Sequence, residues 1–271
     1  MIAISGGKYR IGRDEGPISQ RPLHRVDLAG FRVDREEVTN AAFVEFLNAL
    51  SLSPERDFPS GGATKASLGD TYPYLAEDWE GSGNYPIVAL DDDQSRIAYE
   101  NGQFTPEAGY SNHPVTETTW AGARAYCEWR GARLPTEAEW EAVARGETDR
   151  NFPWGNKPPN EGLAHIDGLN GQTRPVGSYP DGATPDGVLD LSGSLAEWTS
   201  TLRRPFPYDP NDGREDLLAD GERVTRGGDY RYDNGPNTLT ASHRVGFSNA
   251  PGRGHRHIGF RCVTEIDAMG G

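Results

Sequence analysis

The sequence has little sulfur, with two cysteines and two methionines among 271 residues. Two thiols are too few for the disulfide framework of a small secreted domain or for a four-cysteine zinc site. On residue type alone, Cys127 and Cys262 read as buried thiols. No run of 18 or more apolar residues is present, so no hydrophobic helix is expected to cross a membrane. Long basic tracts are missing too: 27 Lys and Arg stand against 41 Asp and Glu, for a net charge of −14 and a pI near 4.9. That balance argues against nucleic acid as a partner, since phosphate contacts need basic side chains. The opening Met-Ile-Ala-Ile-Ser-Gly-Gly lacks the charged and hydrophobic regions of a leader. The expectation is a cytoplasmic protein, or an extracytoplasmic one whose leader has been removed.

What the chain does hold is backbone punctuation and aromatic mass. Its 34 glycines and 20 prolines are dispersed among six Trp, eleven Tyr and nine Phe. This is the composition of a folded, loop-rich protein long enough for a sizeable core. The densest local signal is residues 133–146, Arg-Leu-Pro-Thr-Glu-Ala-Glu-Trp-Glu-Ala-Val-Ala-Arg-Gly. Thr136 is placed to cap a helix, Glu139 to close a capping box, and Gly146 to end it. Trp140, Val143 and Ala144 fall on one face, with Glu137, Glu141 and Arg145 elsewhere.

Other segments are readable in order. Alternation over 8–12 and 24–34 predicts short strands, with His24 a surface or loop residue. Thr39 or Asn40 caps a helix whose Phe43, Phe46, Leu47 and Leu50 face the core. Residues 51–112 read as mostly loop, with a hairpin at Asn101-Gly102; the acidic triplet 91–93 reads as a solvated loop more readily than as a cation site. A helix over 119–129 carries Trp120, Ala123 and Cys127 on one face and ends at Gly131. Between Arg223 and Arg261 seven arginines oppose only Asp229 and Asp233, against the acidic trend of the rest.

These motifs, together with Trp120-Ala-Gly-Ala-Arg-Ala-Tyr-Cys-Glu-Trp, Phe152-Pro-Trp-Gly-Asn, Arg226-Gly-Gly and Gly259-Phe-Arg-Cys, occur in an order that resembles the formylglycine-generating enzyme, or sulfatase-modifying factor, family. The resemblance runs from Ser5 to Val263. It implies a single α+β domain over 1–271 of C-type-lectin-like fold, loop-rich, with small antiparallel sheets and a few helices. It also implies that several arginines of the C-terminal motifs are structural, and that Cys127 and Cys262 pair in a disulfide, which would suit an oxidising compartment.

Asp190-Leu-Ser-Gly-Ser-Leu-Ala-Glu-Trp-Thr is similar to the family's calcium loop, which makes Gly193, Leu195 and Glu197 the implied ligands and calcium the implied structural cofactor. Ser194 stands in place of the family's asparagine. The partly buried carboxylate bonded to loop amides is an equal reading for Glu197. A second implied calcium site falls on Asp167, with His165 replacing an asparagine.

The family's oxidases bind copper through two cysteines that follow Arg-Gly-Gly, because thiolates suit Cu(I). Tyr232 and Asn237 hold those positions here, so formylglycine formation is not expected. What the region offers is Asp229, Tyr230, Tyr232, Asn234, Asn237, His243, Arg244, Phe247, Asn249, Arg253, His255 and His257, a mixture of aromatics, amides and charges suited to recognition. The leading expectation is a non-catalytic member binding an unknown protein or small-molecule ligand there, as the variable proteins of diversity-generating retroelements do. The alternative is a non-haem iron or copper oxidase or oxygenase, with His255 and His257 joined by His243 or Asp229 as ligands.

Overall fold

A computed structural model describes residues 1–50, 87–90, 92–169, 171–244 and 254–266. Strands β1 (Ile2–Ile4), β4 (Phe31–Val33) and β10 (Val263–Glu265) form one antiparallel sheet in the order β1-β4-β10, which joins the two ends of the described chain. Strands β2 (Gly7–Ile11) and β3 (His24–Leu28) pair antiparallel, Tyr9 opposite Val26. Strands β5 (Ile97–Glu100) and β6 (Gln103–Pro106) form the expected hairpin. Asn101 and Gly102 have φ of 52° and 82°, the double positive turn whose twist matches a two-residue hairpin. A further sheet, ordered β8-β7-β9, sets β7 (Ala196–Leu202) antiparallel to β8 (Arg223–Arg226) and parallel to β9 (Ile258–Gly259).

Among the described residues, three α-helices pack on these sheets, each capped by a threonine hydroxyl. Thr39 opens α1 (Asn40–Ala49), Thr119 opens α2 (Trp120–Trp129), and Thr136 opens α3 (Glu137–Arg145) with the full capping box closed by Glu139. Phe43 and Phe46 of α1 meet Tyr126 of α2 and Phe260 in one aromatic core. Trp140 and Val143 of α3 pack with Ile11, Phe31 and Val263 in a second. Cys127 of α2 and Cys262 are joined by a disulfide, their Cα atoms 5.6 Å apart.

The expected polar face of α3 is not at the surface. Every residue of this helix is buried, Glu137 and Glu141 completely. Each carboxylate is matched by an arginine from the far end of the chain. Glu141 accepts from Arg226 and the Gly12 amide and pairs with Arg145 at 3.0 Å, and Glu137 accepts from Arg244 at 2.9 and 3.1 Å. Glu197 of β7 accepts from Arg261 at 2.7 to 3.0 Å and from the Trp140 indole at 2.8 Å. The arginines of Arg226-Gly-Gly and Gly259-Phe-Arg are therefore internal counter-ions, and helix periodicity does not show that the charged face of α3 meets them inside the molecule. His24 is likewise structural: Nδ1 donates to the Pro22 carbonyl, Nε2 accepts from the Tyr208 amide, and its ring meets Phe206.

Candidate functional site

The chain leaves β8 through Gly227 and Gly228, with φ of 101° and 66°. A side chain on Gly228 would meet the Asp233 and Thr238 carbonyls at 2.5 and 2.6 Å, so only glycine permits this turn. Asp229 then organises the loop it starts. Its carboxylate accepts from the Arg231 and Tyr232 amides, both at 2.7 Å, and from the Asp233 amide at 3.3 Å. The carboxyl is completely buried, and burial pushes its pKa up to about 6 although those amides oppose the shift. The consequence is a fixed loop that presents Tyr232, 48% exposed.

Behind Tyr232 runs a line of rings. The ring centroids of Tyr232 and His257 lie 5.0 Å apart, those of His257 and His255 5.7 Å, and those of His255 and Trp198 5.9 Å. Burial, and then the neighbouring His255, pull the pKa of His257 down to about 4, so its ring is neutral near pH 7. The His255 carbonyl accepts from the amide of Glu117, a buried residue with φ of 60°.

The twelve residues of the expected recognition face separate into groups. Tyr232 and Asn237 are exposed, and Asn234 and His255 are partly so. Asp229, Tyr230, His243, Arg244 and His257 are buried, which corrects the expectation that they form surface. Tyr230 stacks on His165 with centroids 4.7 Å apart and rings within 2° of parallel. His243 lies between Gln20, at 3.5 Å, and Asp233, at 3.3 Å. Phe247, Asn249 and Arg253 fall outside the described residues, as does the first member of the acidic triplet.

Of the two implied calcium carboxylates, that of Glu197 is closed. Both oxygens of Glu197 are bonded to Arg261, and one also to Trp140. Asp167 lies 2.9 Å from Arg174 and 3.2 Å from His165. The charge of Glu197 is met by Arg261, an arrangement that does not fit calcium ligation by that carboxylate, whereas Asp167 meets both partners through one oxygen and is partly exposed. Gly193 and Leu195 lie in the same loop. A Cβ on Gly193 would meet the His165 carbonyl at 2.5 Å, and the Leu195 amide donates to Glu37 at 3.0 Å. Glu37 also accepts from Ser194 at 2.7 Å; burial, then Asp190 and Glu197, raise its carboxyl well above the usual range. Sequence reading missed Glu37, since the second acid of Glu36-Glu37 carries no local sign of burial. Among the described residues, no three His, Cys, Asp or Glu side chains converge as a metal site.

The two cysteines of the sequence are bonded to each other, so neither is a free thiolate. Tyr232 stands exposed in the loop where a thiolate would be needed.

Comparison with known proteins agrees with this architecture. A protein of Chlamydia caviae named serine/threonine-protein kinase pkn1 is 32% identical over 274 residues, spanning 98% of this chain and 38% of its own length. The chain thus corresponds to well under half of that relative. The formylglycine-generating enzyme of Mus musculus is 30% identical over 300 residues, spanning 98% of this chain and 75% of the mouse protein. Among solved structures, PvdO from Pseudomonas aeruginosa superposes with a TM-score of 0.63 at 22% identity, covering 97% of this chain and 93% of that one, a likeness of fold. Residues 1–266 match the domain described as sulfatase-modifying factor enzyme 1-like, and with that match the chain belongs to the sulfatase-modifying factor family.

Proposed function

We propose that this domain is a binding member of its family and does not perform the family's copper-dependent oxidation. The observation that carries the reading is the pairing of Cys127 with Cys262, which leaves no thiolate for Cu(I). Recognition centres on Tyr232, a rigidly mounted aromatic of the kind that anchors ligands at low entropic cost. Asn234 and Asn237 flank it with amides that hydrogen-bond in either sense. The ligand is a protein or a small molecule, and diversification of this loop by a retroelement would suit such a face.

The reading is tested by incubating the protein with copper(I), oxygen and a sulfatase peptide that carries the target cysteine. The peptide should keep its mass, whereas appearance of the aldehyde would overturn the proposal. Any ligand found by peptide or glycan arrays should bind Tyr232→Ala more weakly by about thirtyfold, the loss typical of an aromatic anchor.

One observation favours a second reading, an oxidase or oxygenase using iron or copper. His255 and His257 lie 5.7 Å apart, and His257 is held neutral, the state in which imidazole ligates a metal. Replacing both by Ala would then abolish turnover, whereas under the binding reading it alters affinity alone.

A further inference from the structure

Away from Tyr232, the turn Ile18–Gln20 and the segment leaving β7 enclose a cavity of about 370 Å³, lined by Ile18, Ser19, Arg203, Arg204, Pro205 and Arg244. Among the described residues, three of the six that line it are arginines and none is acidic, in a chain whose net charge is −14. The volume is that of a small-molecule site.

The two walls are tied together from within. Arg244, 3% exposed, donates to the Ser19 carbonyl at 2.8 Å on one side and to the Arg204 carbonyl at 3.0 Å on the other. Glu137 holds its Nε and Nη2, and Phe206 backs the guanidinium at 4.3 Å. The cavity is thus formed before any ligand arrives, which lowers the entropic cost of binding.

The local charge is unbalanced. Glu137 is shared between Arg244 and Arg214, the latter at 3.6 Å, and Asp212 is engaged by Arg214. Arg203 lies 3.8 Å from Glu222, and among the described residues no ion pair holds Arg204. Burial, with Arg226 and Arg203 adding to it, holds the Arg244 guanidinium below its usual pKa even though Glu137 opposes the shift. Ile18, 82% exposed, and Pro205 supply apolar surface beside these cations.

We propose that this cavity binds a small organic anion, its apolar body against Ile18 and Pro205 and its carboxylate or phosphate oxygens held by Arg203 and Arg204. Planar guanidinium groups suit both anions through paired charge-assisted bonds. The site is separate from the Tyr232 face and stands whether or not that face is the recognition surface.

Calorimetric titration of the full chain with benzoate, phenyl phosphate, inorganic phosphate and benzyl alcohol tests this at low ionic strength. Benzoate or phenyl phosphate should bind, the tighter of the two identifying the anion class, and benzyl alcohol should bind at least about tenfold more weakly. Arg204→Gln should weaken the bound anion by about tenfold to a hundredfold. Arg204 is exposed, so this variant should keep the wild-type melting temperature. Equal binding of benzyl alcohol, equal binding of inorganic phosphate, an unaffected Arg204→Gln, or no binding by either aromatic anion would each overturn the proposal.

Discussion

Glu197 and Arg261 form a closed pair at the centre of the molecule, with three nitrogen-to-oxygen contacts between 2.7 and 3.0 Å and no exposure of either side chain. The pair links β7 to the residue beside Cys262, and the carbonyls of Asp34, Arg35 and Leu189 accept the remaining guanidinium bonds. This is a junction of four segments made by one side chain.

Removing one partner of such a pair strands a buried charge. Arg261→Met should destabilise folding by about 3–5 kcal/mol in urea titration. Adding Glu197→Gln should recover part of that loss, since the stranded carboxylate is then neutral. Because Glu197 already has a cation, treatment with a chelator should leave the wild-type midpoint unchanged.

The disulfide closes a loop whose ends are 135 residues apart in sequence. Chain-entropy scaling credits such a loop with about 4–5 kcal/mol. Cys127→Ala, or reduction before denaturation, should lower stability by that order, read as a lower urea midpoint with a steeper slope, since the unlinked denatured chain exposes more surface.

Asp229 and His257 oppose each other in the dependence of stability on pH. The unfolded His257 takes up a proton as pH falls through 6.5, but the folded one does so only near 4, so its contribution is lost as pH falls between those values. Asp229 binds its proton more tightly when folded, so its contribution is lost as pH rises from 3.8 through about 6. Asp229→Asn should therefore unmask a loss of about 3 kcal/mol on acidification from pH 6.5 to 4. Adding His257→Asn to Asp229→Asn should remove that part of the loss, leaving the pH dependence of the other buried groups, among them His113, His165 and Glu37.

What the sequence revealed was local. The capping box of Thr136 and Glu139 and the Asn101-Gly102 turn are each decided within four residues, and both are present. The buried ion pairs were not legible. Glu141 and Arg226 are 85 residues apart and Glu137 and Arg244 are 107 apart, and no periodicity reports such a match. The same limit affected the recognition face. Asp229 and Arg244 are polar and lie in loop sequence, yet both turn inward, one to satisfy three backbone amides and the other to neutralise Glu137. Tyr232 is different because the absence of a cysteine there was visible in the residue itself.

The most direct test of the central claim is metal content by mass spectrometry, on tag-free protein purified without chelators and without added metal. A binding domain whose two cysteines are joined should carry no stoichiometric copper or iron. One equivalent of either metal, retained through gel filtration, would contradict that account and assign the His255 and His257 pair to oxidative chemistry.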